Sequence, residues 1–456
     1  MMTPMLFPDD AVPHEPSQAA VVAETAATPR LRPIERCQVE MRCASLDQLL
    51  PPEHPARIVW AYVEKIDITP LLQVIKAVEG QTGRNANDPR LLLALWLYAT
   101  IEGVGSAREL GRLCEMHLAY QWLCGGVSLN YHSLADFRKD HVTFLDQLLT
   151  DGVGTLLHQG LIHLQQVAQD GMRIRASAGA SSFRREPSLQ KCLQEAQAQV
   201  EALKNQVDED GQAATRRQQA ARERAARERV ERVEQALAER QKLLELREEQ
   251  KKEKGLKFEA EQLRSSTTDP EARRMKMPDG GTRPGYNVQF ATTAGSGVIV
   301  GVDVTNVGSD GGQMAPMLEQ METRYDEQPE QMLVDGGYTT LADIETAHEA
   351  DVQVYAPVKD ADKQKAKGLD PYQPKKGDGP GVAQWRQRMG TEPARLLYRL
   401  RSATAEWSNA QVRNRGLYQV RVRGLQKVLA VALLHALAHN LLRAHALQAK
   451  KDRLEG

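Results

Sequence analysis

Apolar residues between positions 57 and 157 recur at helical spacing: Ile58, Val59, Tyr62, Val63 and Ile66, then Leu91, Leu92, Leu95, Trp96 and Ala99. Asp88-Pro89 offers an N-cap carboxylate and a first-turn proline to the second of these helices, and Gly103 with Gly105 closes it. A short helix over 107–116 follows, and Ser133-Leu-Ala-Asp136 reads as a cap opening a helix that bears Arg138, Lys139 and His141. The spacing predicts an all-α region of short helices.

At Gln165 the period drops to two. The run Gln165-Gln-Val-Ala-Gln-Asp-Gly-Met-Arg-Ile-Arg-Ala-Ser alternates apolar and polar residues and predicts a strand with Asp170 inside it. Two β-branched runs at 286–293 and 298–305, joined by Ala-Gly-Ser-Gly, predict a hairpin. Shorter strands are expected at 331–335 and 352–358 with a helix over 314–325 before them, which makes an α/β core. Between the first strand and the hairpin lies a polar helical insertion. Leu189, Leu193, Ala196, Val200 and Leu203 step by four and three; after Asp208-Glu-Asp-Gly211 the pattern resumes with Ala226, Val230, Val233, Leu237 and Leu244. Two such helices joined at a glycine turn predict an antiparallel coiled-coil hairpin, read as a solvated arm or as an element for dimerisation or DNA contact.

Composition refines this picture in three places. Aromatic residues make up only 5%, and the insertion accounts for the shortage. Cys37, Cys43, Cys114, Cys124 and Cys192 are scattered without a C-x-x-C pair and read as reduced thiols. The most apolar windows, 91–101 and 428–442, fall short of a membrane span, and the second carries His435, His439 and Asn440, which fits a packed helix; no membrane partner and no export signal are expected. The formal net charge of -1 gives no global attraction to nucleic acid. It conceals a local one: residues 363–427 hold fifteen Lys or Arg against four Asp or Glu, an excess of +11.

Three carboxylates stand out: Asp170 in the first strand, Asp335 at the end of a later strand, and Glu406 in a helix inside the basic stretch. Carboxylates at strand ends beside an acidic helix can hold two divalent cations about 3.5 to 4 Å apart, one serving the attacking oxygen and one the leaving oxygen. Hard oxygen ligands select Mg²⁺ or Mn²⁺. Arg399, Glu406 and Arg413 are seven residues apart and share a helical face, which suits gripping phosphates around a metal. Taken singly, Asp335 before Gly-Gly is also a turn residue, and Glu406 is also a surface carboxylate.

These residues and several others carry a family resemblance. The carriers are Asp88-Pro-Arg-Leu-Leu-Leu, Ser106-Ala-Arg-Glu-Leu, Ser133-Leu-Ala-Asp-Phe-Arg-Lys139, Asp170-Gly-Met-Arg-Ile-Arg-Ala, Thr268-Asp-Pro-Glu-Ala-Arg273, Gly285-Tyr-Asn-Val-Gln289, Val334-Asp-Gly-Gly-Tyr338, and the stretch from Tyr398 to Arg413 with Asn414-Arg-Gly416. The chain resembles the bacterial insertion-sequence transposases of the DDE type, in the branch whose acidic helix carries a Tyr-Arg-Glu-Lys signature, over residues 36–443. The resemblance implies a ribonuclease-H-like catalytic domain over 161–185 and 264–445, split by the coiled-coil insertion at 186–263. It also implies a helical N-terminal DNA-binding domain at 36–160, flanked by loose tails at 1–35 and 446–456.

Asp170, Asp335 and Glu406 are then expected to hold two Mg²⁺ or Mn²⁺ ions. Tyr398, Arg399, Arg401, Arg413, Arg415, Arg138 and Lys139 are expected to contact DNA. The implied activity is cut-and-paste transposition: binding of terminal inverted repeats, hydrolysis of phosphodiester bonds at the element's ends, and transfer of the freed 3′-hydroxyls to target DNA. A homodimer on DNA ends, in the bacterial cytoplasm and on the nucleoid, goes with it. Glu406 falls one residue late relative to the signature, and Arg413 replaces its lysine. On an unbroken α-helix the extra residue turns Arg401 about 100° away and makes Arg399 the better phosphate contact. Two other readings remain open, a catalytically inactive or host-adopted DNA-binding protein and a ribonuclease-H-like DNA nuclease.

Overall fold

A computed structural model describes residues 45–78, 85–205, 213–255 and 258–455. The expected tail at 1–35, the turn at 208–211, and Cys37 and Cys43 lie outside the described residues. Cys114, Cys124 and Cys192 are free thiols.

The helical spacing of the first region gives seven α-helices among the described residues: Pro55–Val63, Thr69–Gln73, Pro89–Ile101, Ala107–Met116, Leu118–Cys124, Tyr131–Asp140 and Val142–His158. Asp88 caps the third by accepting from the Arg90 N–H at 2.8 Å. The helix that bears Arg138 starts three residues earlier than expected. Asn130 accepts from the His132 N–H at 2.9 Å and takes the cap that Ser133 was expected to supply; an asparagine caps as well as a serine and comes first. Trp96 anchors this region from the buried face of Pro89–Ile101, its Nε1 donating to the Leu134 carbonyl at 2.8 Å.

Eight strands follow in chain order: β1 Gln166–Arg175, β2 Phe183–Arg184, β3 Ser265–Ser266, β4 Arg273–Lys276, β5 Thr282–Thr293, β6 Ile299–Thr305, β7 Gln331–Leu333 and β8 Gln353–Tyr355. β2 and β3 pair with each other. The other six form one mixed sheet in the order β5-β1-β7-β8, with β4 and β6 both on the outer side of β5. β1, β5 and β6 are antiparallel neighbours, and β7 and β8 run parallel to β1. The expected hairpin is the β5–β6 pair. Asp170 lies opposite Phe290 in the middle of the sheet.

The last helix, Leu425–Glu455, is longer than the apolar window suggested and runs through the segment expected to be a tail. By length and composition it could cross a membrane, yet two-thirds of its apolar window is buried within the fold. It lies against the helices Pro89–Ile101 and Val142–His158 on one side and against β6 on the other. Asn440 accepts from the Ile299 N–H at 2.8 Å and donates to the Ile299 carbonyl at 2.7 Å, so the outer edge of β6 is covered by a side chain that imitates a neighbouring strand. Helical region and sheet therefore share one hydrophobic core.

Between β2 and β3 the chain forms the helices Glu186–Asn205 and Ala213–Lys254. Gln199 meets Arg229 at 3.3 Å and Glu186 meets Arg240 at 2.6 Å, which fixes the pair as antiparallel. Leu189 and Ala196 on the first helix and Ala226, Val233 and Ala236 on the second are buried. The root of this arm is tied to the sheet through Glu239 and Arg273 at 2.6 Å and through Arg240, which donates to the Ala260 carbonyl at 2.9 Å.

Candidate active site

Period-two alternation sends the odd and even residues of β1 to opposite faces of the sheet. Asp170 points to the face covered by the helices that follow Pro380. Its Oδ2 accepts from Asn409 Nδ2 at 3.1 Å, and its Oδ1 lies 3.7 Å from Arg401 Nη1. Arg401 Nη2 in turn donates to Glu406 Oε1 at 2.7 Å. The guanidinium is thus clasped between the first and the last of the three carboxylates expected from the sequence.

The local reason is a change of helix type. Glu392–Arg401 and Trp407–Asn414 are α-helical, but Ser402–Glu406 between them is a π turn. In an α-helix residues five apart are rotated by about 140°, and Arg401 and Glu406 would diverge. A π turn bonds i to i+5, absorbs one extra residue, and keeps such a pair on one face. The expectation that Arg399 replaces Arg401 is therefore corrected: Arg401 faces the carboxylates with its side chain 14% exposed, while Arg399 is exposed on the outside of the helix.

Asp335 follows β7, where parallel pairing with β1 delivers it to the same end of the sheet. Its Oδ1 accepts from the Gly337 N–H at 2.6 Å, so the carboxylate folds back on its own Gly-Gly turn. Burial pushes the Asp170 carboxyl up to about 6; Arg401 opposes the rise, and the nearby Asp335 and Asp310 add to it. Burial alone would lower the Arg401 guanidinium, but Tyr398, Asp170, Glu406 and Asp335 together hold it above its ordinary value. Tyr398 is raised, chiefly by burial.

The donors at this end of the sheet are carboxylate oxygens, which suit a hard divalent cation. Arg401 Nη1 is buried without a hydrogen-bond partner, so in this structure a guanidinium supplies the positive charge between Asp170 and Glu406. In this conformation no three acidic, histidine or cysteine side chains among the described residues converge tightly enough to hold a metal ion together.

The remaining expected residues divide by exposure. Arg413 is exposed one turn beyond Asn409, and Arg415 is half-buried at the helix end. Lys139 pairs with Asp136 at 2.6 Å. Arg138 lies below the open surface: it is 7% exposed, sits 4.6 Å over the Trp96 ring, and donates to the Gly105 carbonyl at 2.6 Å. It falls one turn after Leu134 and beside Phe137 on the buried face of its helix. Asp303 lies opposite Gln289, on the sheet face away from Asp170.

Two parts of the site were missed in the sequence. Asn409 was legible in principle, three residues after Glu406 and so on the same helical face. The other part is a polar ladder under the opposite face of β1. Gln169, Asn287 and Gln289 are fully buried there, and Asp310 accepts from Asn287 at 2.7 Å and from Gln289 at 2.9 Å. Tyr338 donates to Gln289 and so ties the Asp335 turn to the ladder. Gly171 is required, since a Cβ there would lie 2.1 Å from Asp310 Oδ1. Asp310 sits in a Gly-Ser-Asp-Gly-Gly loop that reads from sequence as a turn, and nothing in that pattern signals its contacts.

Two family models match the chain. A transposase domain (DUF772) matches residues 44–140, and a transposase DDE domain matches residues 252–441. No curated protein and no solved structure matches. The first match covers most of the helical region and the second covers the sheet from β3 onward together with the acidic helix.

Proposed function

We propose that this chain, an insertion-sequence transposase of the DDE type, binds the terminal inverted repeats of its element and performs strand cleavage and strand transfer with Asp170, Asp335 and Glu406 as its catalytic carboxylates. The observation that carries the assignment is the Arg401 clasp, in which one guanidinium is held by Glu406 and lies beside Asp170 on a distant strand. The sheet supports a ribonuclease-H-like reading: three antiparallel strands are followed by two parallel ones, with the acidic residues on the first strand and just after the fourth of these core strands.

Asp170, Asp335 and Glu406 are the residues that would hold two divalent cations, Mg²⁺ or Mn²⁺. When bound, such ions supply activation of the attacking oxygen and neutralisation of charge on the leaving oxygen. Asn409 orients Asp170 by occupying its Oδ2, and the Tyr338–Gln289 contact fixes the turn that presents Asp335. Arg401 and Tyr398 would grip the scissile phosphate in this reading. In cleavage, a water oxygen forms a bond to phosphorus while the bond to the 3′-oxygen breaks and that oxygen takes a proton. In transfer, the 3′-hydroxyl loses its proton and attacks a target phosphodiester, expelling another 3′-oxygen. Two ends must meet for this, so a homodimer on DNA and action in the bacterial cytoplasm belong to the proposal, as does pairing of ends by a coiled-coil arm.

The test is divalent-dependent nicking of a duplex that bears the element's ends. Cutting confined to those ends supports the transposase. Equal cutting of scrambled DNA favours a general nuclease, and binding without cutting favours an inactive DNA-binding protein. Deleting residues 187–262 is expected to leave cutting of a single end intact and to impair pairing of two ends; unchanged pairing in a gel-shift assay would remove the arm from that role.

A further inference from the structure

Arg415 belongs to an Asn-Arg-Gly motif that the active site does not absorb. Gly416 explains part of the motif. Its φ is +95°, and a Cβ there would lie 3.1 Å from the Gly103 carbonyl oxygen, so glycine lets the end of the acidic helix approach the loop after Pro89–Ile101. This close approach leaves a narrow cleft lined by Arg138, Arg415, Arg421 and His435 over the Trp96 ring.

The charges in this cleft are uncompensated. Among the described residues no carboxylate forms an ion pair with Arg138, Arg415 or Arg421. Arg138 Nε and His435 Nδ1 are buried and lack hydrogen-bond partners, on side chains of residues only 7% and 6% exposed. Arg415 Nη1 reaches only His439 Nδ1, at 3.5 Å. The electrostatic consequences agree with this reading. Burial pushes Arg138 down to about 10 with Arg421 adding to the fall, and burial pushes His435 to about 3 with Arg415 adding to it. Buried guanidinium groups without a counter-charge are unfavourable unless an anion completes them. Guanidinium groups match the oxygens of a phosphate in geometry and charge.

We infer that this cleft is a phosphate-binding site, and that its ligand is a backbone phosphate of DNA lying across the junction between the helical region and the catalytic sheet. The inference rests on the DNA-binding reading above and adds a site whose lining does not include Asp170, Asp335 or Glu406. Arg421 is exposed and Arg415 half-buried, so both reach toward solvent, while Arg138 and His435 form the floor.

The experiment uses the full chain with Arg415→Gln and Arg421→Gln, singly and together, and two probes, a fluorescent duplex and inorganic phosphate. Each substitution is expected to weaken duplex binding roughly tenfold, alike for every sequence, and to flatten the dependence of log Kd on log salt by about one. Phosphate is expected to raise the Tm of the wild type and not of the double variant. Loss of phosphate stabilisation with unchanged duplex binding would overturn the DNA assignment in favour of a free oxyanion. Variants that match the wild type with both probes would overturn the site itself. A wild type stabilised by phosphate that binds no duplex would instead overturn the transposase reading and leave the cleft in place.

Discussion

The strand that carries Asp170 and the arm that follows it are neighbours in sequence and opposites in physics. On β1 each polar side chain near the site is held by groups from distant parts of the chain: Asp170 by Asn409 and Arg401, and Gln169 by Gln289 and the Gln313 carbonyl. Along the arm most side-chain hydrogen bonds and ion pairs join residues three or four positions apart on one helix, such as Lys204 with Glu201 and Arg232 with Glu228. Exposed pairs of that kind contribute about 0.5 kcal/mol or less. The difference teaches where sequence change is tolerated. The root of the arm, where Glu239 and Arg240 meet the rest of the fold, resembles the strand in this respect.

The largest expected effect sharpens that contrast. Asp170→Asn, Asp335→Asn and Glu406→Gln should each reduce end cleavage on the order of 10³-fold while leaving duplex binding in place; retained cleavage in any variant removes that residue from the site. Next comes the π turn. One alanine inserted after Ala403 exceeds what the turn absorbs, rotates Glu406 by about 100° and should cost about 10²-fold in cleavage. Deleting Ala403 should instead restore an α-helical spacing that keeps Arg401 beside Glu406, and activity should survive. Equal damage from insertion and deletion would show that the turn does more than preserve a face.

Within the arm, Arg240→Ala removes a buried guanidinium from the Ala260 carbonyl and should cost about 1–3 kcal/mol in urea unfolding. Arg229→Ala, on the exposed surface, should cost under about 0.5 kcal/mol. Similar values for the two would break the comparison.

A separate set of effects lies in pH dependence. At limiting divalent cation, cleavage should rise with pH as Asp170 ionises, and Arg401→Gln should move that rise to higher pH, because Arg401 opposes the increase in the Asp170 pKa. For stability the signs differ between groups. A carboxyl raised to about 6 takes up a proton in the native state before the unfolded chain does, so it contributes stability as pH falls from about 6 to about 4. His435 and His439, held near 3 and 4 by burial, do the reverse: the unfolded chain takes up protons below about 6.5 that the native helix refuses, and stability is lost. Asp170→Asn should therefore steepen the loss of stability between pH 6 and 4, and His435→Leu should flatten it, in urea midpoints measured across that range.

Much of the architecture was legible because it is periodic. Asp88, the 107–116 helix, the 314–325 helix and the β5–β6 hairpin emerge where spacing and caps put them. The failures share a cause. Ser133 lost its cap to Asn130, Arg138 lies on the buried face with Leu134 and Phe137, and the π turn kept Arg401 on the acidic face, in each case because where a helix starts, which face it packs and where it widens are decided by contacts beyond the local pattern.

The sequence by itself determined the elements, the order of the three carboxylates, the basic stretch around Glu406 and the two-helix insertion, since all of these are properties of neighbours along the chain. Tertiary structure alone decided that Arg401 and not Arg399 joins Asp170 to Glu406, and that a polar ladder through Asp310 braces the strand from behind. It alone left Arg138, Arg415 and Arg421 gathered without an acid. Those arrangements depend on a helical register and on strands paired across a hundred residues or more, and no local pattern encodes either one.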